Sequence, residues 1–170
     1  MFPPWPEELH LLRDTVRRLA REEVAPGADE RDRTARFDEA IAARFWDLGL
    51  LTLTLPPEAG GLASHRCTAL CLCVEELAKV CASSALLLII QAVGSFPLVH
   101  GGRGPERDAW LARLSEGRAL AAYLVTEPGA GSDVASIRTT ATRDGDHWVI
   151  NGAKVFATNG GVASLYAVLA

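Results

Sequence analysis

The chain has 170 residues, 49% of them hydrophobic and 22% charged, with a formal net charge of -4. That apolar share is enough to bury a core and excludes a disordered chain. The mildly acidic balance, with no Lys/Arg run and no basic face interleaved with aromatics, gives nucleic acid no footing. Met1 leads into Phe-Pro-Pro-Trp-Pro rather than the basic and apolar regions of a secretory signal.

In chain order, Leu9, Leu12, Val16, Leu19 and Val24 recur at helical spacing, predicting a helix from Pro6 to Val24 that Pro26 stops. Asp38 to Leu48 reads as a second amphipathic helix with Gly49 just past its end. "LLTLTLPPEAGGL" suggests a short extended piece and a Pro/Gly loop. Ser64 is positioned to cap a third helix running to about Ala82, with Glu75, Glu76 and Lys79 on its exposed side. A fourth helix, about Ser84 to Val99, is apolar nearly all round over its first half, which marks it as interior. Its greasiest run, Ala85 to Ile90, falls short of the ~20 residues of a membrane span, so no membrane contact is expected. Pro105 to Ser115 makes a fifth helix, ended by Gly117.

Cys67, Cys71, Cys73 and Cys81 crowd into one segment, but C-x3-C-x-C matches no usual zinc spacing. The expectation is core packing in a reduced, cytoplasmic setting, with no metal. From about Arg118 the character changes. "ALAAYLVT", "SIRTTATR", "DHWVI", "KVFAT" and "SLYAVLA" are short runs of β-formers split by Asp144-Gly145, Asn151-Gly152 and Asn159-Gly160-Gly161. They predict an antiparallel meander. The fold class is therefore α+β: an all-α domain over residues 1–118, then an incomplete antiparallel β domain over residues 119–170. The chain ends on an apolar run with no turn signal, and about fifty residues of strand make a poor barrel alone, so a fragment is expected.

"YLVTEPGAGSD", residues 123–133, sets two glycines after a strand. A dinucleotide site needs a third glycine and a following helix, and a P-loop needs G-x-x-x-x-G-K-[ST]; neither is present. Gly129 and Gly131 with the Ser132 hydroxyl still suit an anion, while Pro128-Gly129 also suits a plain β-turn. Both readings stand at this level. The four histidines and four tryptophans have no motif partner and read as structural.

"YLVTEPGAGSD" together with "WVINGAKVFATNGG" resembles the acyl-CoA dehydrogenase family: the first matches its aromatic-x-x-Thr-Glu-x-x-Ala-Gly-Ser-Asp signature, the second its NG-x-K-x-(Trp/Phe)-x-(Thr/Ser)-Asn segment. "LRDTVRRLAREEVAPGADERDRTARF", "LGLLTLTLPPEAGGL" and "CVEELAKVCASSALLL" are similar to the family's N-terminal helical domain. The resemblance covers essentially the whole chain and implies three domains, of which the first and about half of the second are in hand. It also implies α,β-dehydrogenation of an acyl-CoA thioester to enoyl-CoA, a carboxylate taking the α-proton while hydride passes to flavin N5 of FAD. Tyr123, Leu124, Val125 and Thr126 are then expected along the flavin, Gly131 and Ser132 at the FAD pyrophosphate with Ser132 also touching the CoA arm, and Phe156, Ala157 and Thr158 on a second flavin-lining segment.

The resemblance puts Ala157 where the family often has Ile, and Phe156 where Trp is common. It places the catalytic Glu beyond Ala170, so no residue here is assigned as catalytic, and Glu127 is left as a loop carboxylate. It further implies an electron-transfer flavoprotein or another acceptor, and a homotetramer or homodimer. A chain of this length is expected to be inactive alone and to hold FAD weakly or not at all. The alternatives are a heteromeric, non-catalytic flavin-binding subunit, and an acyl-CoA oxidase or flavin monooxygenase relative.

Overall fold

A computed structural model describes residues 4–170. Among these residues, six α-helices come first and four short strands follow. α1, Glu7–Leu19, buries Leu9, Val16 and Leu19 and carries Glu7 and Glu8 in its first turn and Arg17 and Arg18 in its last, charges that suit the two ends of the helix dipole. Pro26 does not stop the chain. The winding widens to a π-helical stretch over Ala20–Val24, tightens to a 3-10 turn over Ala25–Gly27, and continues as α2, Ala28–Thr34. A missing N–H costs least where the winding is already changing. The Val24 carbonyl accepts from the Arg31 guanidinium.

α3, Glu39–Asp47, opens on Asp38, whose carboxylate accepts the Ile41 N–H at 3.0 Å; Gly49 follows its end at φ +68°. The expected extended piece after it is absent. Residues 48–54 run instead through successive turns, with Leu50 N–H on the Phe45 carbonyl and Leu55 N–H on the Thr52 carbonyl, both at 2.9 Å, and Leu50, Leu51, Leu53 and Leu55 are all buried.

α4 spans Arg66–Ala78 and α5 spans Ala82–Gly101. Ser64 is not the cap of α4: His65 precedes the helix at φ +56°, with no side-chain cap. Glu76 is not on the exposed side either. It is 4% exposed, gripped by Arg17 of α1 at 2.9 and 3.1 Å and by Lys79 at 3.0 Å. The helical period put it with Glu75, but α1 packs across that face and Arg17 supplies the counter-charge. Arg17, followed by Lys79, holds the Glu76 carboxyl at about 2.

α5 reaches 20 residues at mean hydropathy 1.8, long and apolar enough to cross a membrane by length and composition. In this fold it is the central core helix, with Leu87, Leu88, Gln91, Ala92, Gly94 and Ser95 buried against α4 and the first strand. The cysteine expectation holds for two of four. Cys73 and Cys81 are buried, and burial pushes the Cys73 thiol up to about 12; Cys67 and Cys71 are exposed on the outer face of α4. Among the described residues, no three His, Cys, Asp or Glu side chains stand close enough to hold a metal. α6, Gly104–Ser115, closes the helical part and buries Leu111 and Leu114.

The strands are β1, Ala121–Leu124; β2, Thr140–Asp144; β3, His147–Asn151; and β4, Leu165–Val168. β2 and β3 form the expected hairpin, turning at Gly145 with φ +59°. The meander fails elsewhere: β1 pairs with β4 in parallel, Ala121 opposite Leu165 and Leu124 opposite Val168. A parallel neighbour needs a long crossover, and residues 125–164, hairpin included, supply it. "KVFAT" is a loop rather than a strand, because Phe156 and Asn159 take left-handed φ of +57° and +65° and reverse the chain.

β1 lies on α5. A Cβ on Gly94 would sit 2.9 Å from the Ala121 Cβ, so glycine is what permits the approach. Gln91, 1% exposed, donates to the Ala119 carbonyl at 3.2 Å and accepts the Ala121 N–H at 2.9 Å.

Candidate functional site

The end of β1 and the loop after β3 lie side by side. The Val155 N–H donates to the Thr126 carbonyl at 2.9 Å, and the Asn159 side-chain amide donates to the Ala121 carbonyl at 3.0 Å. Tyr123, Leu124, Val125 and Thr126, half-buried, therefore run alongside Phe156, Ala157 and Thr158. Of the nine expected cofactor residues, seven are brought into this one region.

Gly131 and Ser132 stand apart from those seven. Residues 127–130 close a tight turn, Glu127 N–H to Ala130 C=O at 2.9 Å and the reverse at 3.2 Å, so the plain turn is real. Gly131 and Ser132 follow it in an exposed bend. Neither Gly129 nor Gly131 has a left-handed φ, and a Cβ on either would meet nothing within 4 Å. The fold itself does not require glycine at these two places. Asp133 is a turn residue, its carboxylate taken by the Ser136 hydroxyl.

Phe156 is the clearest anomaly. A bulky residue in left-handed backbone is strained, and this one leaves its ring 90% exposed. Its carbonyl accepts the Thr158 N–H at 3.0 Å, so the loop doubles back within three residues. Thr158 and Asn159 then line a cleft of about 430 Å³ against Phe37, Ile41, Ser84 and Leu87. Ala157 lines a different one, about 350 Å³, with Leu124, Thr139, Ile150, Tyr166 and Val168. Neighbouring residues of the loop thus serve two cavities.

Sequence reasoning missed the residues that hold these segments together. Glu127 is not a loop carboxylate in solvent. It is 8% exposed and accepts from the backbone N–H of Arg138 and Thr139 at 2.7 and 2.9 Å, the Thr139 hydroxyl, and Lys154 Nζ at 2.9 Å. The Thr139 hydroxyl, then Lys154, holds its carboxyl at about 2. Lys154 also donates to the Val125 carbonyl at 2.9 Å. The available signal was that each charge sits in an otherwise apolar or glycine-rich motif.

A helical domain bearing on one flank a small β region, with two pinned segments presenting a strained aromatic, defines the architectural class. Residues 6–118 match the pattern of acyl-CoA dehydrogenase N-terminal domains, and residues 122–170 that of acyl-CoA dehydrogenase middle domains. The chain belongs to the acyl-CoA dehydrogenase family. It is 57% identical over 164 residues to cyclohexane-1-carbonyl-CoA dehydrogenase of Geobacter metallireducens, covering 96% of this chain and 43% of that protein. It is 53% identical to the protein of the same name from Syntrophus aciditrophicus, covering 96% and 42%. Among solved structures it resembles an acyl-CoA dehydrogenase complexed with FAD from Bacillus anthracis, with a TM-score of 0.85 at 30% identity, covering 97% of this chain and 29% of that one. The chain thus spans less than half the length of the curated relatives it matches.

Proposed function

We propose that this chain forms one wall of an FAD and acyl-CoA site in a dehydrogenase that oxidises the α,β CH–CH bond of an acyl-CoA thioester. The observation that carries the reading is the pairing of the Tyr123–Thr126 strand end with the Phe156–Thr158 loop, Val155 N–H on Thr126 C=O at 2.9 Å. The residues fit the cofactor. A strained, 90% exposed Phe156 ring offers a flat apolar surface with no partner within its own loop. Gly129 and Gly131, which the fold does not need, keep side chains away from the bend where the Ser132 hydroxyl and backbone donors face solvent. FAD, when bound, supplies the hydride acceptor.

The chain's own residues then have distinct tasks. Tyr123, Leu124, Val125 and Thr126 lie along the ring system, and Phe156 and Thr158 flank it. Ala157 lines the neighbouring cleft with Leu124 and Tyr166. Gly131 and Ser132 receive the pyrophosphate, and Ser132 reaches the CoA arm. Glu127 is not the base. A carboxylate held at about 2 and occupied by four donors is poorly matched to taking a proton at neutral pH. The family resemblance, rather than anything in residues 1–170, puts the proton-abstracting carboxylate in another part of the protein. Half-buried Ile89, Ile90 and Val93, beside exposed Leu86 on α5, give an apolar strip suited to an acyl group. The relatives' names make an alicyclic carbonyl-CoA the first substrate to try. An electron-transfer flavoprotein as acceptor, a homo-oligomeric assembly and a cytoplasmic setting complete the reading.

The test is a flavin titration of the 170-residue chain, followed by fluorescence quenching, with turnover measured separately against a dye acceptor. We expect FAD binding with Kd on the order of 100 µM and no dye reduction with cyclohexane-1-carbonyl-CoA. Absence of quenching up to about 1 mM FAD, both in this chain and in a chimera carrying it in place of the matching segment of the Geobacter metallireducens relative, removes the FAD assignment. Turnover at an ordinary enzyme rate removes the assignment of the base to another part of the protein.

A further inference from the structure

Glu127 and Lys154, buried charges within the signature segments, have no task in the cofactor reading. Their task is each other. The side chains are 8% and 7% exposed and meet at 2.9 Å. The remaining hydrogen bonds leave little unused: Arg138 N–H, Thr139 N–H and the Thr139 hydroxyl on the carboxylate, and the Val125 carbonyl on the ammonium. One carboxylate thereby ties three stretches of chain, the end of β1, the approach to β2 and the strand exit leading to Phe156. Gly152 makes the third approach possible, since a Cβ there would run into the Thr139 side chain.

A buried ion pair is a poor device for stability alone, because two well-packed apolar side chains of the same volume serve as well or better. What the apolar pair lacks is direction. Charge-assisted bonds of 2.7–2.9 Å fix both the distance and the angle at which the segments meet. The segments so fixed are the two that present Tyr123–Thr126 and Phe156–Thr158.

We propose that Glu127 is a positioning residue which, through Lys154 and Thr139, sets the register of the two segments so that both face one FAD, making flavin affinity depend on this pair. The proposal rests on the FAD reading above. Loosening the pair lowers the population of the binding-competent arrangement, and apparent affinity falls by the same fraction.

The chain has two lysines, Lys79 and Lys154, 52% and 7% exposed, which provides an internal control. Acetic anhydride labelling read by mass spectrometry reports the pair, and FAD titration reports the consequence. Wild type should label at Lys79 and resist at Lys154. Glu127→Gln should open Lys154 to label and weaken FAD by about tenfold or more, with Glu127→Asp recovering part of the loss. Val16→Ala, a core change in the helical domain, should lower thermal stability and leave the flavin Kd unchanged. Should Glu127→Gln fail to fold, Thr139→Val, which removes one donor and keeps the ion pair, should weaken FAD by about threefold. A Glu127→Gln Kd within twofold of wild type, or an equal loss in Val16→Ala, overturns the positioning role while leaving the FAD reading intact. No FAD binding by wild type, in this chain and in the chimera alike, overturns both.

Discussion

Replacing Gln91 with leucine tests how the helical part holds the strand that carries the site. Gln91 is 1% exposed, and its amide satisfies the Ala119 carbonyl at 3.2 Å and the Ala121 N–H at 2.9 Å. Leucine fills nearly the same volume, so little cavity opens. The cost falls on two buried backbone groups, about 1–3 kcal/mol each when left unpaired. Removing a buried amide from the core returns part of this, leaving a net loss of roughly 2–4 kcal/mol. At about 2–4 °C per kcal/mol for a chain of this size, Tm should fall by roughly 5–15 °C. Thermal and urea unfolding followed by circular dichroism give the number, and amide exchange at Ala121 should rise with it.

Gln91→Glu sharpens the test. An ionised carboxylate at this position would face the Ala119 carbonyl, whereas the neutral acid can donate to it and still accept from Ala121. Burial and that carbonyl raise the folded-state pKa, so the variant is most stable at low pH and loses stability as pH rises through the raised value. Going from pH 7 to pH 5 should stabilise it relative to wild type. A leucine variant within 0.5 kcal/mol of wild type, or a glutamate variant indifferent to pH over that range, would refute the reasoning.

Gly94→Ala should cost about 1–3 kcal/mol by overpacking, since the new methyl meets Ala121 at 2.9 Å and the Ala122 backbone at 3.1 Å; chemical denaturation checks it. Glu76 and Glu127, both held at about 2 against an ordinary 4.5, contribute stability that is fully present above pH 4.5 and lost as pH falls toward 2. An acid titration of Tm should therefore bend downward in that window, and Glu76→Gln should flatten the bend. Ellman's reagent should titrate Cys67 and Cys71 in the native chain and Cys73 and Cys81 only in denaturant. Ser132→Ala should weaken FAD binding by removing a hydroxyl donor, with an unchanged Kd counting against its place at the pyrophosphate.

Helix positions and the β hairpin were legible because they rest on local signals: apolar spacing, Asp38 at a helix start, Gly49 after a helix end, Asp-Gly between strands. What escaped was set by partners distant in sequence. Glu76 looked solvent-facing until Arg17, 59 residues away, was placed over it. The parallel β1–β4 pair could not be read from strands that looked ready to form hairpins. "KVFAT" has strand composition, and only its left-handed Phe156 makes it a loop. The site's surface residues came from motif resemblance, whereas Glu127 and Lys154 were hidden because charge in a loop is ordinarily solvated, and their apolar, glycine-rich setting was the one local hint to the contrary.

The crossover between β1 and β4 has a consequence for how the molecule is made. Ala121–Leu124 leaves the ribosome some forty residues before its strand partner exists. Domains assemble from the N-terminus during synthesis, so α5 is already in place when β1 emerges. Gln91 then offers the newborn strand its first hydrogen bond, and Gly94 offers it a surface to lie on. The helix covers one face of an unfinished sheet, and Gln91 satisfies one of the groups along the strand that would otherwise be open to pairing with the wrong chain.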